Sequence, residues 1–180
     1  MTTTENPLGS LKESETTRKI LTLIDEHASN EGYINLRNMI DALGFVISEE
    51  PLRNTTEVCT VIKNDDKVKV VSLSDTISHQ EQNAAIAWVL AEYLLKDRQV
   101  PEDKGLSCNI FTLRSFRENR YSRTMLLATR LTMTESTIDK MSELDNRAIQ
   151  NTLRKHIPSE FANAAVKGHS VAFLIGNDYI

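Results

Sequence analysis

SHQEQNAAIAWVLAEYLLKD, running from Ser78 to Asp97, is the stretch from which the rest of the chain can be built outward. Ser78 is followed three residues later by Glu81, the spacing of a capping box, in which each side chain satisfies a backbone N–H that the first helical turn leaves open. Behind the box, Ala84, Ala85, Ile86, Ala87, Trp88, Val89, Leu90, Ala91, Tyr93, Leu94 and Leu95 leave almost no polar face. A helix apolar on every side is one buried in the middle of a fold, and on this pattern Trp88 reads as core. Lys96, Asp97 and Arg98 return the chain to water, with cations near the negative end of the helix dipole. Other elements must surround this one.

Those before it supply a first helix and a sheet. Ile20, Leu21, Leu23, Ile24 and Ala28 recur at helical spacing, so a helix is expected from Thr16 to Ala28, with Gly32 closing it. Asn35 is a candidate N-cap for a second, short helix whose Leu36, Met39, Ile40 and Leu43 fall at i, i+3, i+4 and i+7. Gly44 stands where a left-handed C-cap belongs, and Phe45-Val46-Ile47 begins a strand. Val58 to Ile62 and Val68 to Leu73 are β-rich runs, and the Lys63-Asn64-Asp65-Asp66-Lys67 link between them suits a hairpin loop. Cys59, in the first of these runs, reads as a small core residue. A helix–strand passage followed by a hairpin predicts an α+β fold: a small sheet, strand plus hairpin, packed on the buried helix.

After it, a linker with Pro101 and Gly105 leads to a strand-like Asn109-Ile110-Phe111. A long helix from Arg114 to Arg130 follows, then one from an N-cap at Thr134 through Leu144. Asp145 caps a further helix from Asn146 to His156, which Pro158 breaks. Ser159 caps a short one to Lys167, and Ser170 to Ile175 is a last strand. The organisation expected is a flexible tail over 1–14, a main domain over 15–144, and a C-terminal helix pair and strand over 145–180 packed on the same domain.

Composition narrows the class. The chain has 180 residues, 40% hydrophobic and 26% charged, which is ordinary for a globular domain. Its net charge of −4 disfavours nucleic-acid binding by global charge. Two cysteines, Cys59 and Cys108, are too few for a Cys-only zinc site and suit reduced cytosolic thiols. The first ten residues lack the basic start and apolar core of a signal peptide. No apolar run approaches the roughly 18 residues a bilayer span needs, so a cytoplasmic protein with no membrane partner is expected.

The order helix, short helix, Leu43-Gly44-Phe45-Val46-Ile47, hairpin, then a capped apolar helix ending Tyr93-Leu94-Leu95 resembles the ImmA/IrrE family of zinc metallopeptidase domains. In that family the helix after the hairpin carries Ala-His-Glu-Leu-Gly-His-Tyr-Leu-Leu; the matching stretch here is Ala87-Trp88-Val89-Leu90-Ala91-Glu92-Tyr93-Leu94-Leu95. A later helix in the family ends Leu-Leu-Met-Pro, against Leu131-Thr132-Met133-Thr134 here, and a helix–turn–helix-like pair often follows. The resemblance spans roughly residues 15 to 168 and implies a zincin-like fold.

The departures bear on the chemistry. Zinc catalysis needs two imidazoles at i and i+4 on one helix face, a carboxylate beside the first as general base, and a third ligand. Trp88, Val89 and Glu92 stand at the first three of those places, and the family's third ligand, a Glu on the following helix, falls at Tyr121, with Glu118 one turn earlier. Tryptophan offers only an N–H, and valine moves no proton. Glu92 and Glu118 together would make an oxygen pair without the nitrogen or sulfur donors zinc prefers. His27, His79, His156 and His169 form no His-x-x-x-His pair, and His79, in the first turn of its helix, reads as surface. The expectation is a degenerate site with no metal and no cofactor, hence no enzyme. Glu92 is expected at an exposed helix edge or paired with an arginine of the next helix, or else as a relic anchoring a polar network.

A second candidate is basic. Arg114, Arg117, Arg120 and Arg123 recur every three residues and drift slowly around one side of a helix. With Arg130 against Glu118 they give residues 112–133 a net charge of +4, which leaves −8 for the rest of the chain. The arginines form either a solvated helix face or a binding ridge for an acidic partner or phosphate backbone. In the pair around Ile157-Pro158-Ser159, the second helix offers only Asn163 and Lys167 to DNA, so structural packing is favoured over readout. The resemblance implies a non-catalytic regulatory or interaction protein of a mobile element or prophage, binding another protein such as a helix–turn–helix repressor. The alternative is a DNA-binding transcriptional regulator using the basic helix and the C-terminal pair.

Overall fold

The computed structural model describes residues 15–52, 57–63, 68–95, 108–112, 123–142 and 147–159. The helix that organises them, here α3, spans His79–Leu95, the sixth of the described elements in chain order. It begins as its capping box requires: the Ser78 N–H donates to Glu81 Oε2 at 2.9 Å, and the Glu81 N–H donates to Ser78 Oγ at 3.3 Å. Its flanks carry α1 (Glu15–Glu26), α2 (Leu36–Ala42) and strands β1 (Phe45–Glu50), β2 (Glu57–Lys63) and β3 (Lys69–Ser74) on one side of the sequence. On the other lie β4 (Cys108–Thr112), α4 (Arg123–Arg130), α5 (Glu135–Ser142) and α6 (Arg147–Leu153).

The architecture is α+β. Four strands form one sheet in the order β1-β3-β2-β4. The β2–β3 hairpin is antiparallel, and β1 joins the outer side of β3 in parallel, with Phe45 beside Lys69 and Ile47 beside Val71. The expected three strands are thus extended by β4, which contains Asn109 to Phe111 and pairs antiparallel with β2. Strand alternation places Phe45, Lys69, Val71, Leu73, Cys59 and Val61 on one face. On that face α3 packs, and its Tyr93 meets Phe45 edge to face at 5.1 Å. On its other side α3 packs against α4. Buried Ala84, Ala85, Ala87 and Ala91 keep α3 slim enough for both neighbours, and Ile86 and Leu90 fill the centre.

Helix boundaries follow local chemistry. Asn35 caps α2, its Oδ1 accepting the Asn38 N–H at 3.2 Å, and Gly44 ends it at φ +80°. Thr134 caps α5 through the Thr137 N–H at 3.3 Å. The first helix ends at Glu26, short of Ala28, and Gly32 does not close it. Instead Gly32 turns the connector between α1 and α2 at φ +86°, where the chain lies against the α4–α5 corner. The Ile34 N–H donates to the Thr132 carbonyl at 3.0 Å, and the Thr134 N–H to the Gly32 carbonyl at 3.1 Å. Two connectors far apart in sequence are thereby stitched together, because each holds backbone groups that no helix satisfies. Buried Arg130 braces the same corner: its Nη1 donates to the Met133 carbonyl at 3.0 Å, and it ion-pairs with Glu135. Burial pushes the pKa of this guanidinium down, opposed by Asp139 and Asp25.

Three expectations are corrected or bounded. Trp88 is half-buried, with one side packed on the core and the other reaching solvent. Helix α6 is shorter than expected, ending at Leu153, with turns carrying the chain from Arg154 to His156, while α5 is described to Ser142 and its expected end at Leu144 lies outside the described residues. The helix expected from Arg114 is described from Arg123; Arg114, Arg117, Arg120 and Tyr121, with the tail over 1–14, the Glu160–Lys167 helix and the Ser170–Ile175 strand, lie outside the described residues. Among the described residues no helix is long and apolar enough to cross a membrane.

Candidate functional site

Glu81, Trp88, Glu92 and Leu95 are spaced by seven, four and three residues, so they form one line along α3. All four are half-buried, whereas Val89, one residue off the line, is 3% exposed. This half-open line holds Trp88 and Glu92, two of the three α3 positions singled out from the sequence. The third, Val89, faces the interior, where an alkyl side chain belongs. The helix α4 lies alongside, and its Thr124 Oγ1 donates to Glu92 Oε1 at 2.6 Å. Glu92 thus joins α3 to α4 through a short, charge-assisted bond. Glu92 is half-buried and not at an exposed edge, and its bond to the following helix is made by a threonine hydroxyl where an arginine was expected. Arg123 opens α4 one residue before that threonine.

What the line can do chemically follows from its groups. Glu92 supplies carboxylate oxygen, Thr124 a hydroxyl, and Trp88 an indole N–H and an aromatic face. Among the described residues no group of three His, Cys, Asp or Glu could hold a metal ion. The described histidines are placed apart from the line: His27 follows α1, His79 is exposed in the first turn of α3, and His156 stacks on Tyr33.

Beside the line, and missed by sequence reasoning, is a cluster around Lys69. Its Nζ donates to the Leu43 carbonyl at 2.6 Å and to Tyr93 Oη at 3.1 Å. It also lies 4.5 Å from the Phe45 ring centroid and 4.6 Å from that of Tyr93, a double cation–π arrangement. The Leu43 carbonyl is one that the end of α2 leaves open, so one ammonium ties α2, β1 and α3 to the first residue of β3. The signal that could have found it is the parallel register of Phe45 with Lys69, which only pairing of the strands reveals. A second network satisfies the buried amide of Gln82: Arg37 Nη2 donates to its Oε1 at 2.7 Å, and its Nε2 donates to the Ser74 carbonyl at 3.1 Å. Arg37 also pairs with Glu49 at 2.9 Å.

The chain matches no protein-family model, and no curated protein and no solved structure matches it significantly.

Proposed function

We propose that this protein is a non-catalytic regulatory protein, a pseudo-metallopeptidase of ImmA/IrrE type that acts by binding another protein such as a helix–turn–helix repressor. One observation carries the reading: where peptidase chemistry needs two imidazoles and a general base on one helix, α3 presents half-buried Trp88, buried Val89, and a Glu92 bonded to Thr124. An indole and an alkyl chain neither ligate zinc nor move a proton, and a carboxylate bonded between helices serves packing. The α+β architecture, with α3 across the sheet and α4 along its other side, is compatible with that ancestry and leaves a half-open line for a partner. The basic run Arg114, Arg117, Arg120 and Arg123 gives residues 112–133 the net positive charge that an acidic partner would complement.

The experiment is a pull-down from the native host, comparing the wild-type chain with one in which Arg117, Arg120 and Arg123 are reversed to Glu. A single regulator retained by the first and lost by the second is the expected result. Elemental analysis run alongside is expected to find no stoichiometric zinc; about one zinc per chain with peptidase activity would overturn the reading. The DNA-binding alternative predicts sub-micromolar duplex affinity at physiological salt, abolished by the same reversal and falling steeply as salt rises. The −8 carried by the remainder of the chain opposes that outcome.

A further inference from the structure

His156 sits where three parts of the chain meet. It lies in the turn after α6, whose N–H groups close back on the helix: those of His156 and Ile157 both donate to the Leu153 carbonyl at 2.9 Å. Leu153 and Ile157 are buried, so the turn has an apolar seat. Two amides of α3 pin it from outside that seat. Asn83 Nδ2 donates to the His156 carbonyl at 2.7 Å, and Gln80 Nε2 to the Arg154 carbonyl at 3.3 Å. The half-buried imidazole itself lies flat on Tyr33, with ring centroids 3.8 Å apart and planes 19° from parallel. Tyr33 belongs to the connector between α1 and α2, the strip that is stitched to the α4–α5 corner. One ring therefore joins the turn after α6 and that connector, beside α3.

The charges around it are unequal. His79 from the first turn of α3 and Lys155 from the same turn as His156 disfavour a proton on the ring, and Glu31 from the connector favours one. Burial of the ring is the largest influence and acts with His79 and Lys155 against Glu31, so the imidazole is held below its ordinary pKa of 6.5. A protonated ring would gain from the Tyr33 face and from Glu31, so the direction of the balance is set by desolvation.

We propose that the His156–Tyr33 stack is a pH-sensitive latch: with the imidazole neutral it holds the turn after α6 against α3 and the connector, and protonation in mildly acidic solution loosens it. The sign follows from linkage. A ring released from the stack regains its ordinary affinity for a proton, so the released form binds protons more readily than the latched one. Latching is at full strength above about pH 6.5, the unperturbed histidine value, and weakens as pH falls below it. The amide bonds from Asn83 and Gln80 do not titrate, so they hold the turn near its seat while the ring lets go.

Hydrogen exchange read by mass spectrometry, expressed as protection factors so that intrinsic rates cancel, tests this. Between pH 7.5 and 5.5, protection over residues 147–158 is expected to fall several-fold relative to α3. His156→Gln, which cannot charge, is expected to remove the difference, while His79→Gln is expected to keep it. Wild-type protection equal at the two pH values, pH dependence that survives His156→Gln, or its loss in His79→Gln would each overturn the latch. Should His156→Gln leave the turn unprotected at both pH values, the NMR titration of His156 in the wild-type chain decides. A midpoint below the ordinary histidine value supports the latch, and one at or above it overturns it.

Discussion

Gly32→Ala isolates how the two connectors are held together. Gly32 has φ +86°, a region that costs an L-residue about 1 kcal/mol or more. A Cβ built on it would also come within 2.0 Å of Thr137 Oγ1 and 3.2 Å of Thr137 Cβ, so the threonine must move. Thr137 is buried, and its hydroxyl shares a 2.9 Å hydrogen bond with Thr134 Oγ1, the N-cap of α5. Overpacking of this kind costs roughly 1–3 kcal/mol. Together the two effects make about 3 kcal/mol, which for a chain of this size lowers Tm by roughly 6–12 °C. The assay is thermal unfolding of four chains: wild type, Gly32→Ala, Thr137→Ala and the double variant. Thr137→Ala removes the atom in the way but leaves the backbone strain. The double variant should therefore recover the packing part, roughly 1–3 kcal/mol of coupling, and not the conformational part. A Gly32→Ala chain melting within about a degree of wild type, or strict additivity in the double variant, would refute the reasoning.

Three further outcomes are expected. Trp88→Ala should destabilise by about 1–3 kcal/mol, less than the 3–5 of a fully buried aromatic, because one side of the indole is already wet; a loss above about 4 kcal/mol in urea unfolding would place it in the core. Lys69→Met should cost about 1–2 kcal/mol through the lost bonds to Leu43 and Tyr93 and the lost cation–π contacts, and an unchanged urea midpoint would show that cluster to be idle. Thr124→Val should cost about 1 kcal/mol, discounted for the partial exposure of Glu92, with Thr124→Ser restoring most of it; equal stability of the valine and serine variants would show the hydrogen bond to be without weight.

Much of this fold was legible because its signals are local. A capping box depends on residues three apart, an N-cap on the side chain of one residue, and a left-handed C-cap on the absence of a Cβ. Ser78 with Glu81, Asn35, Thr134 and Gly44 accordingly stand where the sequence places them. Periodicity reported α3 and the hairpin for the same reason. The candidate site was legible only in part. That Trp88 and Val89 can neither ligate a metal nor move a proton is a matter of residue type along the chain. That Trp88 is half open while Val89 is closed off is not. A helix apolar on every side carries no mark of which side its neighbours will cover.

The sequence by itself determined the caps that open α2, α3 and α5, that α3 is the central element, and which side chains cannot perform zinc chemistry, since each depends on residue type and short spacing. Only the tertiary structure decided the rest. It set β1 parallel to β3, brought Lys69 between Phe45 and Tyr93, gave Glu92 a threonine from α4, and laid His156 on Tyr33. It also assigned Gly32 to a crossing of connectors in place of a helix end. Each of these pairs residues 24 or more positions apart. Such contacts arise because the chain must satisfy buried polar groups and fill space wherever distant segments meet, and no short window of sequence records which segments those will be.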